Sequence, residues 1–435
     1  MDSDNDSSSD HSEASLGEDE EWLAELQRIR ENSYYTTDLD ARGSHSYIQN
    51  MTDEDWEELG RDISNSTRLV SLNTGAGALN DHKMASLFRD LTESSSIRIM
   101  ELYDNGLSVV GVRSMVPFLQ HANNLTKLDL SHNNFQSEGF NVLFRALRDS
   151  PIKILYCASC GIDSIEIDAN FIPPNLIWLY LRQNSISTDG CRELAKLLQG
   201  EDATLTQLHL ERNKIDDDGV EILVDVLRNN KSLTTLDLLE NDGISDQGQI
   251  QLLKLVNNIS CIKATLQSNH TLKYVNVERI TPSVLESGEE IKTHIDTATG
   301  INRNNGSDPN AAGREKVIQT QLHSETRAVL CRLQGIDRSL YSEIDPLHLP
   351  EVLSLIAQRH GQGELYAAVL SSIMTLFSTM NREKCIQQKM EYHAAKIAEH
   401  KAKLEELDKE LATIKEAVAK NEDNVYSQSN KRRRT

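Results

Sequence analysis

The chain has 435 residues, of which 38% are hydrophobic and 5% aromatic, a composition that favours a repeat protein with polar tails over one large globule. Its formal net charge of −22 argues against nucleic acid or an anionic membrane as the main partner, because both attract basic surfaces. No apolar run approaches the ~20 residues that span a bilayer, and the six cysteines lack the spacing of a disulfide framework. We therefore expect an intracellular protein that is cytoplasmic or nuclear.

Residues 1–21 are rich in acidic residues and serine and contain no Lys or Arg. Such a segment has too little apolar surface to fold, so we expect an acidic disordered tail. After it, the pattern Tyr34–Thr37–Leu39 and a predicted helix over Asp53–Ile63 indicate a cap that starts a folded array.

From residue 69 onward the sequence repeats the template L-x-x-L-x-L-x-x-N-x-L. Successive copies begin 24–29 residues apart, except that the last follows after 39 residues. The best copies begin at Leu125, Leu176 and Leu205, and weaker ones begin at Leu69, Ile97, Ile152, Leu233 and Leu272.

The template predicts a strand and a turn in each repeat. The L-x-L core alternates with period two, so its leucines face the interior, and the Asn turns the chain. Amphipathic helices are predicted after most copies, over Gly139–Arg148, Gly190–Leu198 and Gly219–Arg228. Stacking these units places a parallel sheet on a concave face and helices on a convex face.

The period and the helical second half, as in LTKLDLSHNNFQSEGFNVLFRALRD, resemble the ribonuclease-inhibitor-like class of leucine-rich repeats over residues 34–277. The resemblance implies an α/β leucine-rich repeat solenoid shaped like a horseshoe, which with its cap we assign to residues 22–285. It implies no single function, because this class serves inhibitors, GTPase activators, innate receptors and actin regulators.

Residues 286–322 are rich in Asn, Gly, Asp and Thr and lack obvious helical periodicity, so we expect a flexible linker. Residues 323–380 are predicted to form a small helical module. With the repeats, this module is similar to a large group of algal intracellular leucine-rich repeat proteins, a resemblance that supplies no activity. The residues that carry it are Ile344–Asp345–Pro346, Leu349–Pro350 and Arg359–His360–Gly361–Gln362.

Heptads over residues 381–420 predict a coiled coil and a homodimer. Position a holds Met390, Ile397, Leu404, Leu411 and Val418, and position d holds Ile386, His393, His400, Leu407 and Ile414. A long helix that folds back on its own chain is the alternative. Residues 421–435 are predicted to be a disordered basic tail, in which Lys431–Arg434 is either a nuclear-localisation patch or a solvated end.

Cys157 and Cys160 have the spacing of a metal-binding pair, but the repeat register gives both a structural place. Cys157 takes an inward leucine position and Cys160 takes the Asn position, and no second pair completes four ligands. The sequence contains no nucleotide-binding loop, nucleophile elbow, zinc-protease helix or kinase motif. We therefore expect no metal, no cofactor and no catalytic residues.

The outward positions of the strands form the candidate binding surface, because large aromatic residues have no packing reason to point away from a core. Tyr, Trp and Arg are also enriched at interface hot spots. The predicted partner-binding residues are Tyr103, Tyr156, Trp178, Tyr180, Arg182, His209 and Arg212. These residues indicate an interaction scaffold that binds a protein on the concave face. The alternative is a GTPase activator that resembles the Ran GTPase-activating proteins, whose early-repeat arginine motif has no match here.

Overall fold

A computed structural model describes residues 20–336 with the exception of residues 21, 43–45, 78, 93–95, 170–171, 278–286, 307 and 323. Nine short parallel strands form one sheet, and each strand pairs with the strands before and after it in the chain. They are β1 (Asp38–Asp40), β2 (Ser71–Asn73), β3 (Ile99–Glu101), β4 (Lys127–Asp129), β5 (Ile154–Tyr156), β6 (Trp178–Tyr180), β7 (Gln207–His209), β8 (Thr235–Asp237) and β9 (Tyr274–Asn276). This is the predicted α/β solenoid.

Helices connect most of the strands and cover one side of the sheet. Those of the repeats and the N-terminal cap are α1 (22–30), α2 (Ser46–Asn50), α3 (Asp53–Asn65), α4 (Asp81–Asp90), α5 (Val109–His121), α6 (Gln136–Ala146), α7 (Thr188–Leu198), α8 (Asp217–Leu227), α9 (Asp246–Val256) and α10 (Ile262–Leu266). Three more follow the last strand, namely α11 (Ser287–Asn304), α12 (Pro309–Leu322) and α13 (Ser324–Leu333). Among the described residues, no helix combines the length and the hydropathy needed to cross a membrane.

The middle residue of each strand points into the core. Leu128, Leu179 and Leu208 have no exposed surface, whereas their neighbours in the same strands are partly exposed. This alternation confirms the predicted register, because the period-two leucines are the ones that are buried.

The template asparagines join neighbouring repeats through their backbones. Asn213 Nδ2 donates to Leu210 O of its own repeat and to Leu181 O of the preceding repeat, each at 3.0 Å. Its Oδ1 accepts from Ile186 N at 3.0 Å. Each such amide satisfies buried backbone groups that the tight turn would otherwise leave unpaired.

Cys160 takes the place of that asparagine in its repeat. Its Sγ donates to Leu130 O and Ala158 O, each at 3.3 Å. Cys157 fills the inward position, and both thiols are buried. Burial raises the pKa of both side chains, that of Cys160 to about 12, so the thiols are protonated core residues.

Among its described residues, the repeat that begins at Ile152 contains no α-helix in its second half. Only 24 residues separate it from the next copy, and residues 161–168 run without regular structure. The three helices predicted after other copies correspond to α6, α7 and α8 and begin two or three residues earlier than expected. The cap strand β1 and helix α3 also lie where the sequence predicts them.

The expectation of a flexible linker over residues 286–322 is wrong. Helices α11 and α12 occupy this segment, and α11 packs against α9 and β9. Ile291, Ile295 and Ala298 are buried and lie four and three residues apart, which is the spacing of one helical face. Polar and glycine-rich residues between them hide this periodicity in the sequence.

Helices α11, α12 and α13 cover the C-terminal end of the repeat array. Asn302 Nδ2 donates to Leu272 O at 2.6 Å, and the buried Lys316 Nζ donates to Val256 O at 2.6 Å. Gln334 Nε2 donates to Asn257 O at 2.7 Å. These side chains satisfy carbonyls at the last turn of α9 and the last repeat. The remainder of the predicted module (337–380), the coiled coil and the basic tail lie outside the described residues.

Candidate functional site

We define the open face as the side of the sheet away from the helices, where the first and third residues of each strand point outward. In-register pairing aligns the third residues Glu101, Asp129, Tyr156, Tyr180, His209, Asp237 and Asn276 into one row. The first residues form a parallel row, which includes Lys127, Ile154, Trp178 and Gln207. The strand register therefore decides which side chains meet on this face.

Three ring side chains stack along the row of third residues. The rings of Tyr156 and Tyr180 are 4.3 Å apart with an interplanar angle of 18°. The rings of Tyr180 and His209 are 4.2 Å apart at 8°. Neighbouring strands lie ~4.8 Å apart, so aromatic residues at the same register position stack without changing rotamer. We call Tyr156, Tyr180 and His209 the ring stack.

Lys127 lies at the N-terminal end of the ring stack. Its Nζ is 5.5 Å from the centre of the Tyr156 ring and donates to Glu101 Oε1 at 2.6 Å. Burial alone would lower the pKa of Lys127, but the hydrogen bond and charge of Glu101 outweigh burial and raise it. The ammonium therefore stays charged beside the ring face, where the attraction is favourable.

Inside the stack, burial and the neighbouring Tyr156 raise the pKa of Tyr180 to about 12. The Tyr180 hydroxyl donates to Gln207 Oε1 at 3.2 Å. The phenol is therefore neutral, and its orientation is fixed from the next strand.

The C-terminal end of the ring stack is acidic. His209 Nδ1 lies 3.2 Å from Glu211 Oε1, and Asp237 is the neighbour of His209 on β8. Burial raises the pKa of Asp237, although Asn276 Nδ2 donates to its Oδ2 at 2.6 Å. One ligand atom from each of His209, Glu211 and Asp237 lies within 4.8 Å of the others, so these residues could hold a metal ion.

The other predicted residues surround the ring stack at different distances along the sheet. Trp178 lies on the same strand as Tyr180 and is partly exposed, and Arg182 follows that strand and is exposed. Arg212 is ion-paired with Glu240, with Nε to Oε2 at 2.5 Å. Tyr103 stands two strands away from Tyr156 and lies over Gly75.

The structure therefore brings together Tyr156, Trp178, Tyr180, Arg182 and His209, whereas Tyr103 is separate. The predicted site omits Gln207, which contacts Tyr180, and Asn276, which contacts Asp237. The template predicts that both side chains point outward. An amide is neither aromatic nor charged, however, so nothing in the sequence singles these two residues out. Their contacts depend on how neighbouring strands align, and the repeat template carries no information about that alignment.

Comparison with known families gives one match, to the description "Leucine Rich repeat", over residues 121–140, 201–224 and 229–250. These segments contain β4, β7 and β8 and the starts of the helices that follow them. No curated protein sequence matches the chain.

Several solved structures match the chain at low identity and low TM-score. Leiomodin-1 actin-binding site 2 is 11% identical with a TM-score of 0.22, and the match covers 69% of this chain and 95% of that one. Rad7, in its yeast complex with Elc1, is 13% identical with a TM-score of 0.32 and coverages of 61% and 84%. The tropomodulin C-terminal domain of Caenorhabditis elegans is 9% identical with a TM-score of 0.20 and coverages of 65% and 94%. The matched segments and the nine in-register parallel strands show that this part of the chain is built from leucine-rich repeats.

Proposed function

We propose that this protein is an interaction scaffold that binds another protein on the open face, centred on the ring stack and Trp178. The observation that carries the proposal is the partly exposed stack of Tyr156, Tyr180 and His209. Leucine-rich repeat arrays generally act as protein-binding surfaces.

The ring stack is suited to binding because it is ordered before a partner arrives. Stacking on both sides and the hydrogen bond from the Tyr180 hydroxyl fix the side-chain rotamers. Ordering a side chain at an interface costs roughly 0.5–1.5 kcal/mol, and a rigid stack avoids much of that cost. Trp178 adds a large apolar surface beside the stack.

The charges around the stack favour a partner surface of mixed character. Arg182 is exposed and suits a carboxylate or a backbone carbonyl, whereas the carboxylates of Glu211 and Asp237 suit a donor or a cation. Arg212 is already paired with Glu240, so it has less to offer a partner. We therefore include Arg182, and not Arg212, beside the ring stack in the proposed interface.

The second part of the proposal is self-association through the heptads of residues 381–420, supported by the sequence pattern alone. Two copies would present two open faces, and linked sites gain avidity without new contacts. The coiled coil would then serve the same scaffold function as the repeats.

The binding proposal is tested by affinity capture with the full chain and with Trp178→Ala combined with Arg182→Ala. The matched control is Tyr35→Ala combined with Arg113→Ala, since both residues are exposed and lie outside the open face. Captured proteins are quantified by mass spectrometry, and circular dichroism checks that both variants fold.

We expect the main captured protein to be lost with the open-face variant and kept with the control. Equal capture by the two variants would contradict the proposed surface and move the site to the helices or to the C-terminal segment.

A further inference from the structure

His209, Glu211 and Asp237 form a compact cluster at the acidic end of the ring stack. The side chains of His209 and Glu211 are 16% and 18% exposed, and Asp237 is 6% exposed. Their candidate ligand atoms all lie within 4.8 Å of one another. His209 ends β7 directly opposite Asp237 at the end of β8, and Glu211 follows β7 by two residues.

The hydrogen bonds around His209 leave one ring nitrogen directed at a carboxylate. Gln207 Oε1 accepts from the Tyr180 hydroxyl and lies 3.4 Å from His209 Nε2, which favours the tautomer with a proton on Nε2. In that tautomer Nδ1 carries a lone pair, yet it lies 3.2 Å from Glu211 Oε1, which is also an acceptor. Either a proton on Nδ1 or a metal ion between the two atoms would resolve this contact.

Among the described residues, the carboxylates of Glu211 and Asp237 also lack a Lys or Arg partner. Glu211 Oε2 is buried from solvent and has no hydrogen-bond partner among the described residues. Within that part of the chain, neither Glu211 nor Asp237 forms an ion pair with a Lys or Arg.

We propose that His209, Glu211 and Asp237 bind a divalent transition-metal ion of the Zn²⁺ class on the open face. Imidazole nitrogen and carboxylate oxygen are both ligands that Zn²⁺ accepts, whereas Mg²⁺ and Ca²⁺ prefer oxygen ligands alone.

The distance between the His209 and Glu211 ligand atoms fits this assignment. Tetrahedral Zn²⁺ with bonds of ~2.0–2.2 Å needs ligand atoms ~3.3–3.6 Å apart. The distance of 3.2 Å between His209 Nδ1 and Glu211 Oε1 is already close to that value. The candidate ligand oxygen of Asp237 lies within 4.8 Å of the ligand atoms of both other residues.

Neighbouring side chains already hold the ligands in place, as is usual around metal sites. Tyr180 stacks on the His209 ring at 4.2 Å, and Asn276 Nδ2 donates to Asp237 Oδ2 at 2.6 Å. Each carboxylate oxygen of Asp237 can still offer a second lone pair to an ion. Three protein ligands leave a fourth position open toward the open face, where water or a partner side chain can complete the coordination.

The test is a ZnCl₂ titration of the full-length protein by isothermal calorimetry after treatment with a chelator, together with Co²⁺ visible absorption. His209→Phe keeps a ring on Tyr180 but removes the ligand nitrogen, and Asp237→Asn keeps the shape but removes the charge. The matched control is Asp129→Asn, which stands in the same row without a histidine neighbour. Circular dichroism checks the fold of each variant.

We expect the parent and the control to bind one Zn²⁺ per chain that the two ligand variants lose. Loss of an outer hydrogen-bond partner alone weakens metal binding ~10–100-fold, so loss of a ligand should weaken this site by at least ~100-fold. The same stoichiometry and affinity in parent, His209→Phe and Asp237→Asn would overturn the proposal, as would no binding to the parent. Should His209→Phe fail to fold, Asp237→Asn decides the outcome. No partner protein is needed, so this result is separate from that of the capture experiment.

Discussion

At the scale of single residues, the inward leucines carry much of the stability of the array. Leu208 has no exposed surface, whereas Leu23 is 49% exposed. We predict that Leu208→Ala lowers the free energy of unfolding by ~2–5 kcal/mol, because it removes buried methyl groups and leaves a cavity. Leu23→Ala is the matched control and should change stability little. Thermal unfolding followed by circular dichroism measures both, and equal melting temperatures would contradict the assigned register.

His270 is the residue whose protonation should weaken the C-terminal end of the array. Its Nδ1 lies 3.1 Å from Lys316 Nζ and its Nε2 lies 3.2 Å from Leu266 O, so a neutral imidazole suits both contacts. Burial first, and the charge of Lys316 second, lower the pKa of His270 to about 4. The unfolded chain takes up the proton near the ordinary value of ~6.5, so acidification favours unfolding between these two values.

We therefore predict that the parent loses stability as pH falls from ~6.5 toward 4, and that His270→Gln makes this loss smaller. The melting temperature at both ends of this range is the measurement. His82→Gln is the control, since the His82 side chain is 76% exposed. An equal loss in the parent and in His270→Gln would show that His270 does not contribute.

At the scale of elements, the strands were predictable because their signal is local. A leucine at every second position needs no knowledge of distant residues, and Leu179 and Leu208 lie where that alternation places them. The ring stack was predictable only in part. The template indicates that Tyr156, Tyr180 and His209 point outward, but their 4.2–4.3 Å contacts depend on how three strands align.

Helix α11 shows why the helices that cover the C-terminal end of the array could not be predicted from composition. Its apolar face consists of a few residues set among Thr, Asn and Gly, and it becomes stable only by packing on α9. The cap partners Asn302, Lys316 and Gln334 are polar residues whose acceptors lie far away in sequence. Long-range contacts of this kind leave no local pattern.

We predict that Ile295→Ala destabilises the repeat array and not just its own helix, since neighbouring units of a solenoid support one another. Ile295 is fully buried in α11, and truncation of such a side chain typically costs ~2–5 kcal/mol. Thr297→Ala, at an exposed position of the same helix, is the control. The melting temperature of the full-length protein reports the effect, and an unchanged value would contradict a stabilising role of α11 in the array.

At the scale of the whole molecule, the heptads predict self-association that weakens in acid. In a parallel two-stranded coil, His393 and His400 would each face their own copy at the d position. An ordinary imidazole titrates near 6.5, and two charged rings repel in a partly desolvated seam. The alternative interpretation of these two histidines is that they bind a metal ion across the dimer.

We therefore predict weaker association of the full chain at pH ~5.5 than at ~7.5, measured by analytical ultracentrifugation in the presence of a chelator. His393→Leu combined with His400→Leu should remove the pH dependence. A monomer at both pH values would contradict the dimer, and an unchanged dimer would contradict the histidine contact alone.

The central claim, that the open face is the binding surface, is tested most directly by site-specific photo-crosslinking to the captured partner. A photo-reactive amino acid replaces either Arg182 on the open face or Arg192 on α7, two exposed positions on opposite sides of the same repeat. Because both positions lie in one repeat, a partner that is merely close to that repeat would crosslink to both of them. We predict a crosslink from position 182 and none from position 192. A crosslink from position 192 alone would contradict the account and place the partner on the helices.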